Sequence, residues 1–281
     1  MSSINSNTGA LTALQMLGAT IQQKDDVQDD VSTGKEVKTA QDNATLWAIS
    51  QLMETDVISF DAVSDSLSLG EATLSVASFG AEKVTEILIE MKELAVAASS
   101  GLLDYDTIEA HMAQKTEQVN TIISSSHFNG VNLLKTDIDG TGSGALTVAS
   151  SVDRQGPGTS NLSYITVNSL DFEGSASFDI NNRTTITDQA SAQVALGEIE
   201  GFLQYAIEGA ASLGASASQM SDQFDMVGKH SDALKLGIST LTDTNMEEAA
   251  TRLAALDVQQ RLGLQSLSIA NSAPLRLLDL T

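Results

Sequence analysis

One stretch of this sequence leaves little freedom in how the chain can fold. Phe60, Leu67, Leu74, Ala81, Leu88 and Ala95 recur every seven residues, and Val63, Gly70, Ala77, Val84, Met91 and Ala98 fill the companion positions. Apolar residues spaced alternately by three and four line one face of a helix and require a partner helix along its length. A helix from about Ala48 to Ala98 would be roughly 75 Å long at 1.5 Å per residue, which is a rod and not a piece of a compact globule. Gly101 is expected to end it. Asp106 with Glu109 reads as a capping box opening a second helix that carries Ile108, Met112, Val119 and Ile122, and Phe128, Asn129 and Gly130 then turn the chain.

Both ends of the chain repeat the helical pattern more weakly. Ile4, Leu11, Leu14, Gly18, Ile21, Gln28 and Val31 form one a/d-like seam with polar gaps; Ala249, Leu253, Leu256, Gln260, Leu264, Leu267 and Ala270 form another, widened by Leu262 and Ile269. Pro274 is expected to halt the last helix. Residues 136–187 lose the helical period and become rich in Gly, Ser, Thr, Asp and Asn. Runs such as Leu162, Tyr164, Ile165 and Val167, or Phe172 and Phe178, read there as hairpin strands. Helical period returns with Ile199, Phe202, Ala206, Leu213, Met220, Phe224 and Val227, continues through Leu234, Ile238 and Leu241, and breaks at a second capping box, Thr244 with Glu247. The expected fold is mainly α: antiparallel helical rods from both termini with a small β-rich insert at the tip. Three parts are expected: terminal helices 1–45 and 243–281, a helical rod of 46–135 and 188–242, and a β-rich outer part of 136–187.

The side chains offer little chemistry. A net charge of -23 over 281 residues repels a phosphate backbone, and the 14 basic residues form no cluster to offset it, so nucleic acid is not an expected partner. There is no cysteine, which removes disulfides, thiolate metal sites and thiol nucleophiles. No run of apolar residues is long enough to span a bilayer, and the N-terminus lacks the basic and apolar segments of a cleaved secretory signal. His111, His127 and His230 lack metal-ligand spacing, and neither a phosphate-binding glycine loop nor a nucleophile elbow is present. Asp137, Asp139, Thr141 and Gly142 imitate half of a calcium loop, but Val148 stands where a bidentate Glu is needed, so a polar turn is the expected reading. The pairs Asp25–Asp26 and Asp29–Asp30 read as a solvated face, and Trp47 as a packing residue. No catalytic, cofactor or metal residue is expected.

The junctions between helices carry motifs. Ser32, Thr33 and Gly34, then Ala40, Gln41, Asp42, Asn43 and Ala44, then Ala48 and Ile49, resemble the pattern near the start of bacterial flagellins. Glu93, Leu94, Ala95 and Val96, and Phe128, Asn129, Gly130 and Val131, resemble two further hallmarks of that family. The run from Val258 to Pro274 is more similar still. The likeness covers roughly residues 1–135 and 190–281. The chain departs from the family pattern at Gln41, where Lys is usual; at Lys35 and Lys38, where Arg is common; and at Glu90, where Arg often stands. The Glu90 reversal changes a surface that vertebrate Toll-like receptors read in some members, so that recognition is not expected here. The ending Leu275 to Thr281 lacks the usual aromatic or basic close.

The resemblance implies a structural subunit of an extracellular flagellar filament for swimming motility, exported unfolded through a type III channel without a cleaved signal peptide and assembled at the distal tip. It implies self-association into a helical homopolymer, with an export chaperone, a cap and hook-associated proteins as partners. Core contacts are expected from Ile4, Leu11, Leu14, Ile21, Val31, Leu253, Leu256, Leu264, Leu267 and Ile269, and rod contacts from Asp42, Asn43, Glu93, Leu94, Phe128, Asn129 and Gly130. Two weak seams stabilise too little in isolation to offset ordering entropy, so the arms are expected to be mobile in the monomer and to pair in the polymer. A hook-filament junction protein would share these arms; an enzyme housed in the insert lacks a catalytic constellation.

Overall fold

The structure, a computed structural model, describes residues 7–101, 104–154 and 161–278, with side chains described as far as residue 272. In chain order its elements are α1 (Thr8–Thr33), α2 (Ala44–Ser99), α3 (Tyr105–Ser125), β1 (Ala145–Asp153), β2 (Asn161–Asn168), a 3-10 turn at Ile180–Asn182, α4 (Gln189–Thr242) and α5 (Met246–Leu278). The fold is thus mainly α with one small antiparallel sheet, the class expected. The chain divides into two compact units, Met1–Thr55 with Ala233–Thr281, and Asp56–Asp232.

In the second unit the heptad residues of α2 are the core. Leu67, Leu74, Ala81, Leu88, Met91, Ala95 and Ala98 are fully enclosed, and Ala192, Ala195, Ile199, Ala206, Leu213, Met220 and Val227 of α4 are buried with them. The two helices run antiparallel. Phe60 packs on His230 with ring centres 5.9 Å apart, Lys92 pairs with Glu200 at 2.9 Å, and Gln189 Nε2 donates to the Ser99 carbonyl at 2.8 Å. Small residues at the contacts let side chains reach the opposite backbone: a Cβ at Gly70 would sit 2.9 Å from both Met220 Sδ and Val148 Cγ2. Helix α3 folds back along α2, burying Ile108, Met112, Val119 and Ile123 and pairing Lys115 with Glu90.

The turn after α3 is a two-residue hairpin loop. Asn129 (φ 49°) and Gly130 (φ 83°) both take positive φ, and the amides of Phe128 and Val131 donate to each other's carbonyls at 2.9 Å. That geometry favours the Asn-Gly pair found here. The strands then pair antiparallel, from Ala145 opposite Asn168 to Asp153 opposite Asn161, with a bulge between Ala149 and Ser151.

The insert lies along the helices of its unit. Val148 fills the space over Gly70, Gln223 Nε2 donates to the Ser150 carbonyl at 2.8 Å, and Arg154 Nε sits 2.8 Å from Asp56 Oδ1. Leu170 presses into a gap at Gly209. Phe172 and Phe178 are not strand residues, contrary to the alternation read from sequence. They stack on each other (4.5 Å) and on Tyr205 and Phe202 of α4, because an enclosed aromatic group buries more area than an exposed two-residue strand could. Arg183 closes the insert: its guanidinium forks onto Glu109 of α3 at 2.6 and 3.1 Å, and Glu109 also accepts the Ile186 amide at 2.9 Å.

Three helix boundaries differ from the sequence reading. Asp104, not Asp106, stands at the N-cap position of α3, its carboxylate accepting the Thr107 hydroxyl at 2.6 Å and not a helix amide, and Glu109 is committed to Arg183 instead of a capping box. Asn245, not Thr244, opens α5, its Oδ1 accepting the Glu247 and Glu248 amides at 3.2 and 3.4 Å. The Thr244 amide instead donates to the Gly34 carbonyl at 2.9 Å, joining the start of α5 to the end of α1. Pro274 does not halt α5, which runs on to Leu278. Pro274 lacks the amide hydrogen that would serve the Ala270 carbonyl, and Asn7 Nδ2 supplies a donor there at 2.7 Å.

Candidate self-assembly surface

The first unit is organised by α1 and α5, which pack antiparallel. Asn7 meets Ala270, Leu17 lies against Gly263, and Lys24 Nζ reaches Asp257 Oδ1 at 2.5 Å and Gln260 Oε1 at 3.1 Å. Val27, Ala249 and Leu256 are buried together with Val31 and Leu253 against them. The facing positions of α1 are therefore Ala10, Ala13, Leu17, Thr20, Lys24, Val27 and Val31, and those of α5 are Ala249, Leu253, Leu256, Gln260, Gly263, Leu267 and Ala270.

On α5 this is the expected seam with Gly263 in place of Leu264. On α1 the seam is displaced by one position: small and polar residues face inward while larger ones face out. Leu11 is 60% exposed and Leu14 54%, and Ile21 is exposed too; on α5 Leu264, Ile269, Val258 and Leu262 are each more than half exposed. At 100° per residue, Val258, Leu262 and Ile269 lie roughly opposite the α1–α5 seam, and Leu11, Leu14 and Ile21 form a stripe about a third of a turn away from it. The pair thus presents two apolar stripes to the outside, and exposed apolar surface of this kind marks association surfaces. Of the expected core-contact residues, Val31, Leu253, Leu256 and Leu267 serve the pair itself; Leu11, Leu14, Ile21, Leu264 and Ile269 do not. Ile4 lies outside the described residues.

The junction beside this pair is held by polar contacts. Gly34 (φ 71°) ends α1, and the amides of Glu36 and Val37 donate to the Thr242 carbonyl at 2.7 and 3.2 Å. Asp42 Oδ2 accepts the amides of Thr39 and Lys38 at 2.8 and 3.0 Å. The Thr39 amide, then that of Lys38, holds the Asp42 carboxyl below the usual carboxylate range. Asn43 caps α2 through the Thr45 and Leu46 amides at 3.2 and 3.1 Å. Asp42 and Asn43 therefore act locally, within the unit of the terminal helices. Glu93 and Leu94 line a surface recess between α2 and α3 with Glu90, His111, Gln114 and Lys115. Phe128 and Asn129 border a shallow groove with Leu69, Thr73 and Val148, and Gly130 completes their turn. These rod residues thus fall into separate patches of the second unit. The Asp137–Asp139 segment is a polar turn: Asp137 Oδ1 accepts the Gly140 amide at 2.9 Å and Asp139 Oδ1 the Thr141 hydroxyl at 2.6 Å.

Sequence reasoning overlooked Asn7 and Lys24 because a search for apolar period skips polar seam positions. The signal for Asn7 was a proline inside a helical pattern, which implies an orphaned carbonyl four residues earlier.

The family model of the bacterial flagellin N-terminal helical region matches residues 4–138, and that of the bacterial flagellin C-terminal helical region matches residues 196–281. The chain belongs to the bacterial flagellin family. Flagellin FljO of Caulobacter vibrioides is 33% identical over 283 residues, covering 100% of this chain and 98% of the relative. A flagellin of Brucella melitensis is 33% identical over 288 residues, covering 100% and 99%. Among solved structures, Bacillus cereus flagellin aligns with 59% of this chain and 88% of its own at 18% identity and a TM-score of 0.47. As a flagellin, this protein is a structural subunit that self-assembles into the flagellar filament. Among the described residues no helix is long and apolar enough to cross a membrane.

Proposed function

We propose that this flagellin polymerises through the outward stripes of its terminal helices, with Leu11, Leu14, Ile21, Leu264 and Ile269 buried against neighbouring copies in the filament core. The observation that carries this reading is the displaced seam of α1, which turns the larger apolar side chains away from α5. Each such side chain contributes about 1.5–3 kcal/mol when fully covered. The narrow seam of small residues stabilises the pair weakly alone, so the terminal helices reach full order on assembly. Head-to-tail contacts between unlike patches give an open helical polymer, and Glu93, Leu94 and the Phe128–Gly130 turn supply such patches on the rod. The subunit is exported unfolded, adds at the distal end of the extracellular filament, and meets an export chaperone, a cap and hook-associated proteins on the way. The Glu90–Lys115 pair leaves a surface unsuited to Toll-like receptors.

The test is seeded elongation followed by electron microscopy. Wild-type protein elongates seeds, whereas Leu14→Glu and Ile269→Glu leave the monomer's helicity unchanged and abolish growth. Wild-type protein that caps seeds without lengthening them would instead indicate a hook-filament junction adaptor, and glutamate variants that elongate normally would remove these stripes from the interface.

A further inference from the structure

We propose that Asn7 sets the register of the two terminal helices, acting through the α5 carbonyl that Pro274 leaves without a helical donor. In an α-helix each carbonyl accepts the amide four residues later, so the Ala270 carbonyl needs an amide at position 274, where proline has none. The helix nevertheless continues to Leu278. Asn7 Nδ2 donates to that carbonyl at 2.7 Å, while Oδ1 of the same side chain accepts the Ala10 amide at 3.0 Å and caps α1. One amide thus serves two helices from residues 263 positions apart in the chain.

The remaining seam discriminates poorly between registers. Near Asn7 it consists of Ala10, Ala13, Gly263, Leu267 and Ala270, of which only Leu267 is large, and a slip of one heptad would exchange most of these for other small or half-exposed positions. Lys24 contributes an ion pair to Asp257, but a flexible ammonium follows its partner over several ångströms. The Asn7 bond allows no such latitude. A seven-residue slip moves its amide a full two turns from Ala270 and leaves both a donor and an acceptor unpaired, as a lone polar residue does in a coiled-coil seam. The penalty is largest where neighbouring copies exclude water, so this inference rests on the self-assembly reading above.

Asn7→Asp and Asn7→Ser both retain an oxygen for the α1 cap and remove the donor, the first with a charge and the second without. Pro274→Ala restores a backbone amide at position 274 and makes the side-chain donor redundant. The measurement is the subunit concentration remaining in equilibrium with seeded filaments. Each Asn7 variant raises it about tenfold in the wild-type background and about twofold or less in the Pro274→Ala background. Equal increases in both backgrounds would show that Asn7 is a helix cap only and would overturn the proposal. Failure of the wild-type protein to elongate strikes the self-assembly reading instead. The same variants are then compared as monomers by amide exchange across Leu11–Val31. Protection lost in Asn7→Asp and regained with Pro274→Ala upholds the proposal there, and protection lost in both backgrounds overturns it.

Discussion

Gly209 on α4 offers a test in which one methyl group has opposite effects at two sites of one helix. A Cβ built there would lie 2.1, 2.5 and 2.7 Å from Leu170 Cδ1, Cδ2 and Cγ, against an ordinary carbon contact of about 3.5–4.0 Å. All three contacts involve the branched end of Leu170, which is only 7% exposed, so no small rotation clears them and the side chain must leave its pocket. Losing that burial costs about 1.5–3 kcal/mol. Replacing a mid-helix glycine by alanine returns about 1 kcal/mol. Gly209→Ala should therefore destabilise by about 0.5–2 kcal/mol, whereas Gly201→Ala, on the same helix with nothing within 4 Å of its Cβ, should stabilise by about 1 kcal/mol. Thermal unfolding of the monomer followed by circular dichroism should separate the two, since 1 kcal/mol moves Tm by about 2–4 °C in a unit of this size. In a Leu170→Ala background, which itself costs about 2–5 kcal/mol, Gly209→Ala should change sign and stabilise. If Gly209→Ala and Gly201→Ala shift Tm in the same direction with Leu170 present, the close approach of the insert to α4 is wrong.

Two further expectations concern polar contacts. Burial pushes the Glu109 carboxyl up, but the Arg183 hydrogen bond, the Ile186 amide and the Arg183 charge together outweigh it and hold the group below its ordinary value. Its stabilisation is then complete above the unfolded value of about 4.3 and fades as pH falls through the folded one. Glu109→Gln should cost about 1.5–3 kcal/mol at neutral pH and progressively less in acid, read by denaturant titration at several pH values. A gap to wild type that stays constant down to low pH would refute the charged latch. Asn43→Ala removes the α2 cap and should cost about 1 kcal/mol with fraying confined to the first turn, seen as faster amide exchange at Thr45 and Leu46; unchanged exchange there would exclude the cap.

How legible each part was depended on whether the pattern and the packing were set by the same residues. In α2 they were: every large apolar heptad residue from Phe60 to Met91 is in the core, because an uninterrupted repeat leaves one face able to bury them. In α1 they were not. The eye follows Leu11, Leu14 and Ile21, whereas α5 packs on Ala10, Ala13 and Leu17, since close helix approach favours small residues and leaves larger ones for other partners. Strand pairing was legible in Leu162 to Val167, a run rich in β-formers, although Leu162 and Tyr164 face outward and only Ile165 and Val167 inward; it was not legible in Phe172 and Phe178, whose neighbours on α4 lie beyond the reach of local periodicity. The junction motifs marked Asp42, Asn43 and the Phe128–Val131 turn as special without saying why; the reason is capping and positive φ, both local. Asn7 was passed over because its partner is a carbonyl, which every residue possesses, and only Pro274 distinguishes the one at Ala270.

The manner in which the strands and their flanking loops are seated has a consequence for anyone wishing to reshape this subunit. Excising 136–187 and splicing the cut ends would strip the cover from Phe202 and Tyr205, uncap the hollow at Gly209 and deprive Glu109 of its counter-ion. A shortened version would need a replacement lid of comparable shape, so cargo is better grafted onto this segment than exchanged for it.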